Sequence, residues 1–208
     1  MVDVCVLLAG CGLYDGSEPQ ETVVLLAALA RGGARAVCVA PDVEQLHVVD
    51  HRDGNEVPGA APRRVIEEAA RLARGKIVPL SEFQPAGSDA LVIPGGYGVG
   101  KNLMTGFAEP GSPVEPRPVV EDLVAHHLSE RKPIGVISLG RLVLEAMLPE
   151  AFTARLPLEV PEQAYEDTAS RLVYAPGFLA GDRLDRIAPG IEALASRLIA
   201  WSTAEGRT

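Results

Sequence analysis

"RKPIGVISLGRLVLEAML", residues 131–148, joins a strand to a helix with almost no chain between them. The apolar run from Ile134 to Ile137 stops at Ser138. Leu139, Leu142, Val143 and Met147 then recur at helical spacing. A strand running straight into a helix is the repeating unit of a parallel α/β sheet. The sharp turn between the two is where many enzymes of that class mount a nucleophile. Ser138 stands at that turn.

The same alternation continues on both sides. "VDVCVLLA" (2–9) reads as a buried strand ended by glycines, and "SEPQETVVLLAALARGG" as a helix with a capping box at Ser17 and Gln20 and a stop at Gly32-Gly33. "ARAVCVA" (34–40) is a second strand, "PRRVIEEAARLARG" (62–75) a second helix, and "DALVIPGG" (89–96) a third strand entering a glycine turn. "VVEDLVAHHLSERK" predicts the helix leading to Ile134, with His126 and His127 facing solvent. "SRLVYAP" (170–176) and "GIEALASRLIAW" (190–201) predict a last strand and helix. Strands this uniformly apolar belong to a parallel sheet covered on both faces. Ligands in such sheets bind beyond the carboxyl ends of the strands, which directs attention to "GCGLYDGSEPQE", "PDVEQLHVVDH", "PGGYGVGKN" and "SLGR".

Composition bounds the class. The 208 residues suit one domain, with neither an internal repeat nor a second domain in the pattern. No apolar run reaches the ~18 residues of a membrane span, and Met1-Val2-Asp3 lacks the basic flank of a signal peptide. Nineteen basic against 28 acidic residues leave a net charge of −9 with no basic cluster, which argues against nucleic acid as a partner. Cys5, Cys11 and Cys38 have no metal-ligand spacing, and free thiols suit a reducing compartment, so a cytoplasmic location is expected. His47 and His51 lie in a loop with Asp50 and Asp53 and offer no metal template, although His51 is a candidate to line a pocket.

The segments "LLAGCGLYDGSEPQET", "APDVEQLHVVDH", "RLARGKI", "DALVIPGGYGVGKNL" and "KPIG" before the elbow resemble the enhancing-lycopene-biosynthesis protein family. That family is a glyoxalase III-like, intracellular-protease-like branch of the class I glutamine amidotransferase-like superfamily. The resemblance spans residues 3–148 and resumes at "YAPGFLAGDRLDRIAPGIEALASRLIAW". It implies a flavodoxin-like three-layer α/β sandwich, one domain over residues 1–208, a homodimer, a small-molecule substrate and no cofactor. The family has cysteine at the elbow, usually followed by Ile-Ala-Pro. This chain has Ser138-Leu139-Gly140-Arg141. A serine hydroxyl needs an adjacent base, Val136 stands where the hydrolase elbow has its first glycine, and no histidine follows Ser138. Ser138 therefore reads either as an N-cap for the following helix or as a catalytic or ligand-binding group outside any Ser-His-Asp triad.

Glu21 aligns with the superfamily's glutamate that hydrogen-bonds the nucleophile. Glu18, beside it, is accounted for by the helix dipole. The Gly95 and Gly96 amides, with that of Leu139, are candidates to hold an oxyanion. Asp15 is a turn former or a site residue, and Cys11 a packed loop residue or a substitute nucleophile. Lys101 and Asn102 either fix a loop or bind an anionic substrate group. Residues 149–169 are shorter than in the family and should reshape one wall of the pocket. Two functions compete. The first is a lyase, hydratase or isomerase acting on a carbonyl or enolisable compound, with Glu21 as general base and Ser138 as hydrogen-bond donor. The second is a catalytically silent binding or regulatory protein. A conventional glyoxalase activity ranks third because its thiol is missing.

Overall fold

The strand–turn–helix unit recurs around one sheet. The computed structural model of the chain describes residues 1–148 and 160–203. Strand β1 (Asp3–Leu7) is followed by α1 (Pro19–Arg31) and β2 (Arg35–Ala40), then by α2 (Val65–Leu72), β3 (Ile77–Pro79) and β4 (Ala90–Ile93). Next come α3 (Pro118–Ser129), β5 (Ile134–Ile137), α4 (Arg141–Met147), β6 (Tyr165–Asp167), β7 (Leu172–Ala175) and α5 (Leu184–Ser202). The sheet runs β6-β7-β5-β4-β1-β2-β3. Every pairing in it is parallel except that of β6 with β7. This is the expected flavodoxin-like α/β sandwich.

The period of two in β1 builds both layers. Val4, Val6 and Leu8 pack with Leu25 and Leu29 of α1 and with Ile191 and Leu194 of α5. Cys5, Leu7 and Ala9 face the other way, onto Leu123 and Val124 of α3 and Val143 and Leu144 of α4. A strand buried on both faces has no use for polar residues, which is why these runs are so uniformly apolar.

Several expectations change in detail. Helix α1 is capped one residue later than the Ser17–Gln20 box predicts. Glu18 is its N-cap and accepts from the Glu21 amide at 2.6 Å, while Ser17 Oγ accepts from the Ala9 amide at 2.9 Å. Helix α5 begins six residues before Gly190 and carries Pro189 inside it. Proline is costly within a helix, but the extra turn buries Ile187 in line with Ile191 and Leu194. The three-residue strands β3 and β6 are too short for a periodic signal. His127 is fully buried, not solvent-facing. Its Nδ1 lies 2.8 Å from the Leu123 carbonyl, so it carries the proton, and Nε2 lies 3.0 Å from Ser88 Oγ, whose hydroxyl also reaches the Pro85 carbonyl. The wall expected from residues 149–169 falls largely outside the described residues.

Candidate active site

Strand order decides which loops meet. From β1 the chain steps outward to β2 and β3, then returns to the other side of β1 for β4, β5 and β7. The crevice at that reversal opens at the carboxyl ends of β1 and β4. A cavity of about 620 Å³ lies there. Leu13, Tyr14, Glu18, Gln20 and Glu21 line it from the β1 side, Gly96 and Tyr97 from beyond β4, and Ser138 and Leu139 from beyond β5. Phe178, Leu179, Gly181 and Asp182 close it from beyond β7. The loop after β2, expected to contribute, does not line it, because β2 lies on the far side of β1. The loop after β7 takes its place. Its only local sign is the turn-forming "APG" that follows an apolar strand. A second cleft, of about 500 Å³, touches Asp89, Pro133 and Arg171 at the amino ends of β4, β5 and β7, the edge opposite the glycine-rich turns.

Glu21 has no exposed surface. Its Oε2 accepts from the Gly95 amide at 3.1 Å and its Oε1 from the Phe178 amide at 2.9 Å. Two glycines make room for it. A Cβ on Gly95 would lie 2.3 Å from Oε2, and one on Gly177, where φ is +55°, would lie 2.2 Å from Oε1. Burial pushes the Glu21 carboxyl up to about 8, and the charge on Glu18 adds to the rise. The Phe178 and Gly95 amides and the Ser138 hydroxyl pull the other way without overcoming it. Burial wins because the charged form loses its water, and three neutral donors replace only part of that hydration.

Ser138 is not a helix N-cap. Ile137 and Gly140 occupy the cap positions of the short 3₁₀ turn Ser138–Gly140 and of α4, and neither cap has a side-chain hydrogen bond. Ser138 instead sits at φ +51°, a left-handed conformation that costs an L-residue about 1–2 kcal/mol. Such strain at a strand-to-helix turn thrusts the side chain up from the sheet. There the hydroxyl stands beside the Glu21 carboxyl and favours its charged form. The two groups border the same point above Gly95: a Cβ there would lie 2.9 Å from Ser138 Oγ. None of the four histidines lines the cavity.

The other predicted residues divide. Gly96 and Leu139 line the cavity. The Gly95 amide is committed to Glu21 and is unavailable to an oxyanion. Asp15 is buried away from the cavity, accepting from the Val49 amide at 3.3 Å and standing 3.3 Å from His51 Nε2. Asn102 is fully buried and staples three loops, donating to the Ala9 and Asp15 carbonyls and accepting from the Leu46 amide. Lys101 Nζ donates to the Tyr14 carbonyl at 2.7 Å and borders a separate cleft with Arg117. Cys11 is half-buried outside the cavity, and burial raises its thiol, the reverse of nucleophile activation. Asp15, Lys101 and Asn102 thus support the loops from behind. Tyr14, Tyr97 and Phe178, which complete the cavity, carry no motif that singles them out in sequence.

The chain matches no protein-family model. It is 32% identical over 221 residues to the rat ES1 protein homolog, mitochondrial, covering 94% of this chain and 82% of that one. The human glutamine amidotransferase-like class 1 domain-containing protein 3, mitochondrial, matches at the same identity and coverage. Among solved structures, an isoprenoid biosynthesis protein with an amidotransferase-like domain from Ehrlichia chaffeensis superposes with a TM-score of 0.86 at 27% identity, covering 96% of this chain and all of that one. A DJ-1 superfamily protein from Salmonella typhimurium shares the fold, with a TM-score of 0.58. The cytoplasmic expectation is overturned, since these curated relatives are named as mitochondrial proteins. Free thiols suit any reducing compartment and do not separate one from another.

Proposed function

The chain belongs to the enhancing-lycopene-biosynthesis/ES1 family, on the DJ-1/ThiJ amidotransferase-like scaffold, and on that premise we propose an enzyme that moves a proton on a small carbonyl or enolisable compound. The observation that carries the proposal is Glu21: a fully buried carboxyl at the cavity wall, clasped by two backbone amides and titrating near 8. A group that titrates close to the working pH gives up and recovers a proton with the least loss in either direction. At neutral pH Glu21 is mostly protonated, so it first acts as an acid toward a carbonyl oxygen. Its carboxylate then takes the proton from carbon or water. This revises the simple general-base role that the sequence suggests.

Ser138 completes the relay. Both groups border the point above Gly95, so the hydroxyl can serve either ionisation state: the neutral acid donates to Oγ, whereas the carboxylate accepts from the hydroxyl. One proton therefore leaves or returns to the pair at the cavity wall while the hydroxyl turns to suit either state. The amides of Gly96 and Leu139, two residues that line the cavity, would receive a developing oxyanion. With no histidine in the cavity and Glu21 largely neutral, Ser138 lacks the base that would make it a nucleophile.

The test is exchange of carbon-bound hydrogen for solvent deuterium in a panel of enolisable aldehydes and ketones, followed by NMR. Wild-type protein should catalyse exchange with at least one compound. Glu21→Gln should lower the rate by about 100-fold or more, and Ser138→Ala by about tenfold, the loss of one hydrogen bond. Equal rates for wild type and Glu21→Gln would end the proton-transfer reading. Ligand binding without any turnover would favour the silent homologue.

A further inference from the structure

The cavity has a charge character of its own. Among the described residues, no lysine, arginine or histidine lines it, whereas the carboxyls of Glu18 and Asp182 do, Glu21 being mostly neutral. Basic groups close to it in sequence are committed elsewhere. Lys101 holds the Tyr14 carbonyl, Arg183 pairs with Asp185 at 2.7 Å, and Arg141 pairs with Glu145 and lies over the Tyr174 ring. The molecule's net charge of −9 has the same sign as the cavity.

The remaining wall is apolar and aromatic. Tyr14 and Tyr97 stack with centroids 6.4 Å apart and planes 22° from parallel, and Tyr97 is 46% exposed at the mouth. Phe178 and Leu179 face the cavity from the β7 loop. An aromatic face attracts an organic cation. Carboxylates in a cleft with low-dielectric walls attract the same cation and repel an anion. Phosphate- or carboxylate-bearing substrates generally meet arginine, lysine or an open helix N-terminus. The N-terminus of α1 here is already occupied by its own Glu18.

The geometry points to a substrate that carries a protonated amine on a compact apolar body, its ammonium held between the Tyr14–Tyr97 pair and the carboxylates of Glu18 and Asp182. Carboxylate and phosphate compounds are rejected. The inference rests on the proton-transfer reading in one respect, that the same molecule brings its carbonyl or acidic C–H to Glu21.

Three unreactive probes of similar shape and different charge test it: phenethylammonium, phenethyl alcohol and hydrocinnamate. Each is titrated calorimetrically into the full chain at neutral pH and low salt. Phenethylammonium should bind at least about tenfold more tightly than the alcohol, hydrocinnamate should not saturate, and added salt should narrow the gap. Asp182→Asn, at an exposed position, should weaken phenethylammonium about three- to tenfold while leaving the alcohol within about twofold. The inference is overturned if hydrocinnamate binds as tightly as phenethylammonium, if Asp182→Asn leaves phenethylammonium unchanged, or if none of the three binds at millimolar concentration. Preserved charge ordering without hydrogen exchange on any enolisable compound would instead refute the proton-transfer reading and leave the selectivity standing.

Discussion

Glu21 is a carboxyl in a place that resists charge, and its titration can be read from stability as well as activity. Its folded value of about 8 lies above the ordinary 4.5. The stability tied to its proton is whole below about pH 4.5 and is lost as pH rises through 8, to a total on the order of 5 kcal/mol. Glu21→Gln should flatten that part of the stability curve, measured by urea unfolding across pH. The variant should also be less stable than the parent at acid pH by about 1–3 kcal/mol, because a glutamine offers one acceptor to the two amides of Gly95 and Phe178. An unchanged pH slope would show that Glu21 ionises normally. Ser138 permits a complementary test. Ser138→Gly should relieve the positive φ and stabilise the fold by about 0.5–1 kcal/mol while lowering turnover. Ser138→Cys should place a thiol beside the Glu21 proton. It should be alkylated faster than Cys11, whose thiol burial raises. Both residues were legible in sequence, Ser138 from an apolar run that stops at a turn and Glu21 through the family resemblance. The tyrosines and Phe178 were not, since aromatic residues in loops have no periodicity to read.

Helix α3 shows where pattern reading at the level of an element falls short. Adjacent His126 and His127 read as a polar face, yet His127 turns inward to bridge Leu123 and Ser88. Burial lowers its imidazole to about 4 from 6.5, with Lys132 and His126 adding to the fall and the Leu123 carbonyl opposing it. The stability of its neutral form is therefore whole above about pH 6.5 and is lost as pH falls through 4, a change on the order of 3 kcal/mol. His127→Leu should remove this acid-side slope, followed by thermal unfolding between pH 4 and 7. It should cost about 1–3 kcal/mol at neutral pH, because the Leu123 carbonyl loses a partner. A slope that survives the substitution would assign it to other groups. For helix α5 the pattern misses in the opposite direction: the sequence predicts a start at Gly190, but the burial of Ile187 carries the helix through Pro189 and Gly190.

At the scale of the molecule the two titrations oppose each other. Between pH 4.5 and 6.5 rising pH strengthens the fold through His127 and weakens it through Glu21, so each single variant should expose the slope that the other residue imposes. A homodimer is expected from the family resemblance, and sedimentation at micromolar concentration showing monomer alone would count against it. The alternation of apolar runs with amphipathic helices, the parallel sheet and the strand-to-helix turn at Ser138 follow from sequence by itself, because strand and helix periods are properties of a few neighbouring residues. Only tertiary structure brings Glu21 to amides 74 and 157 residues away, spends the Gly95 amide on that carboxyl, buries His127, and turns Asp15, Lys101 and Asn102 into loop supports behind the cavity. Those outcomes depend on the order in which strands assemble, and that order decides which loops share an edge, a relation no local stretch of chain contains.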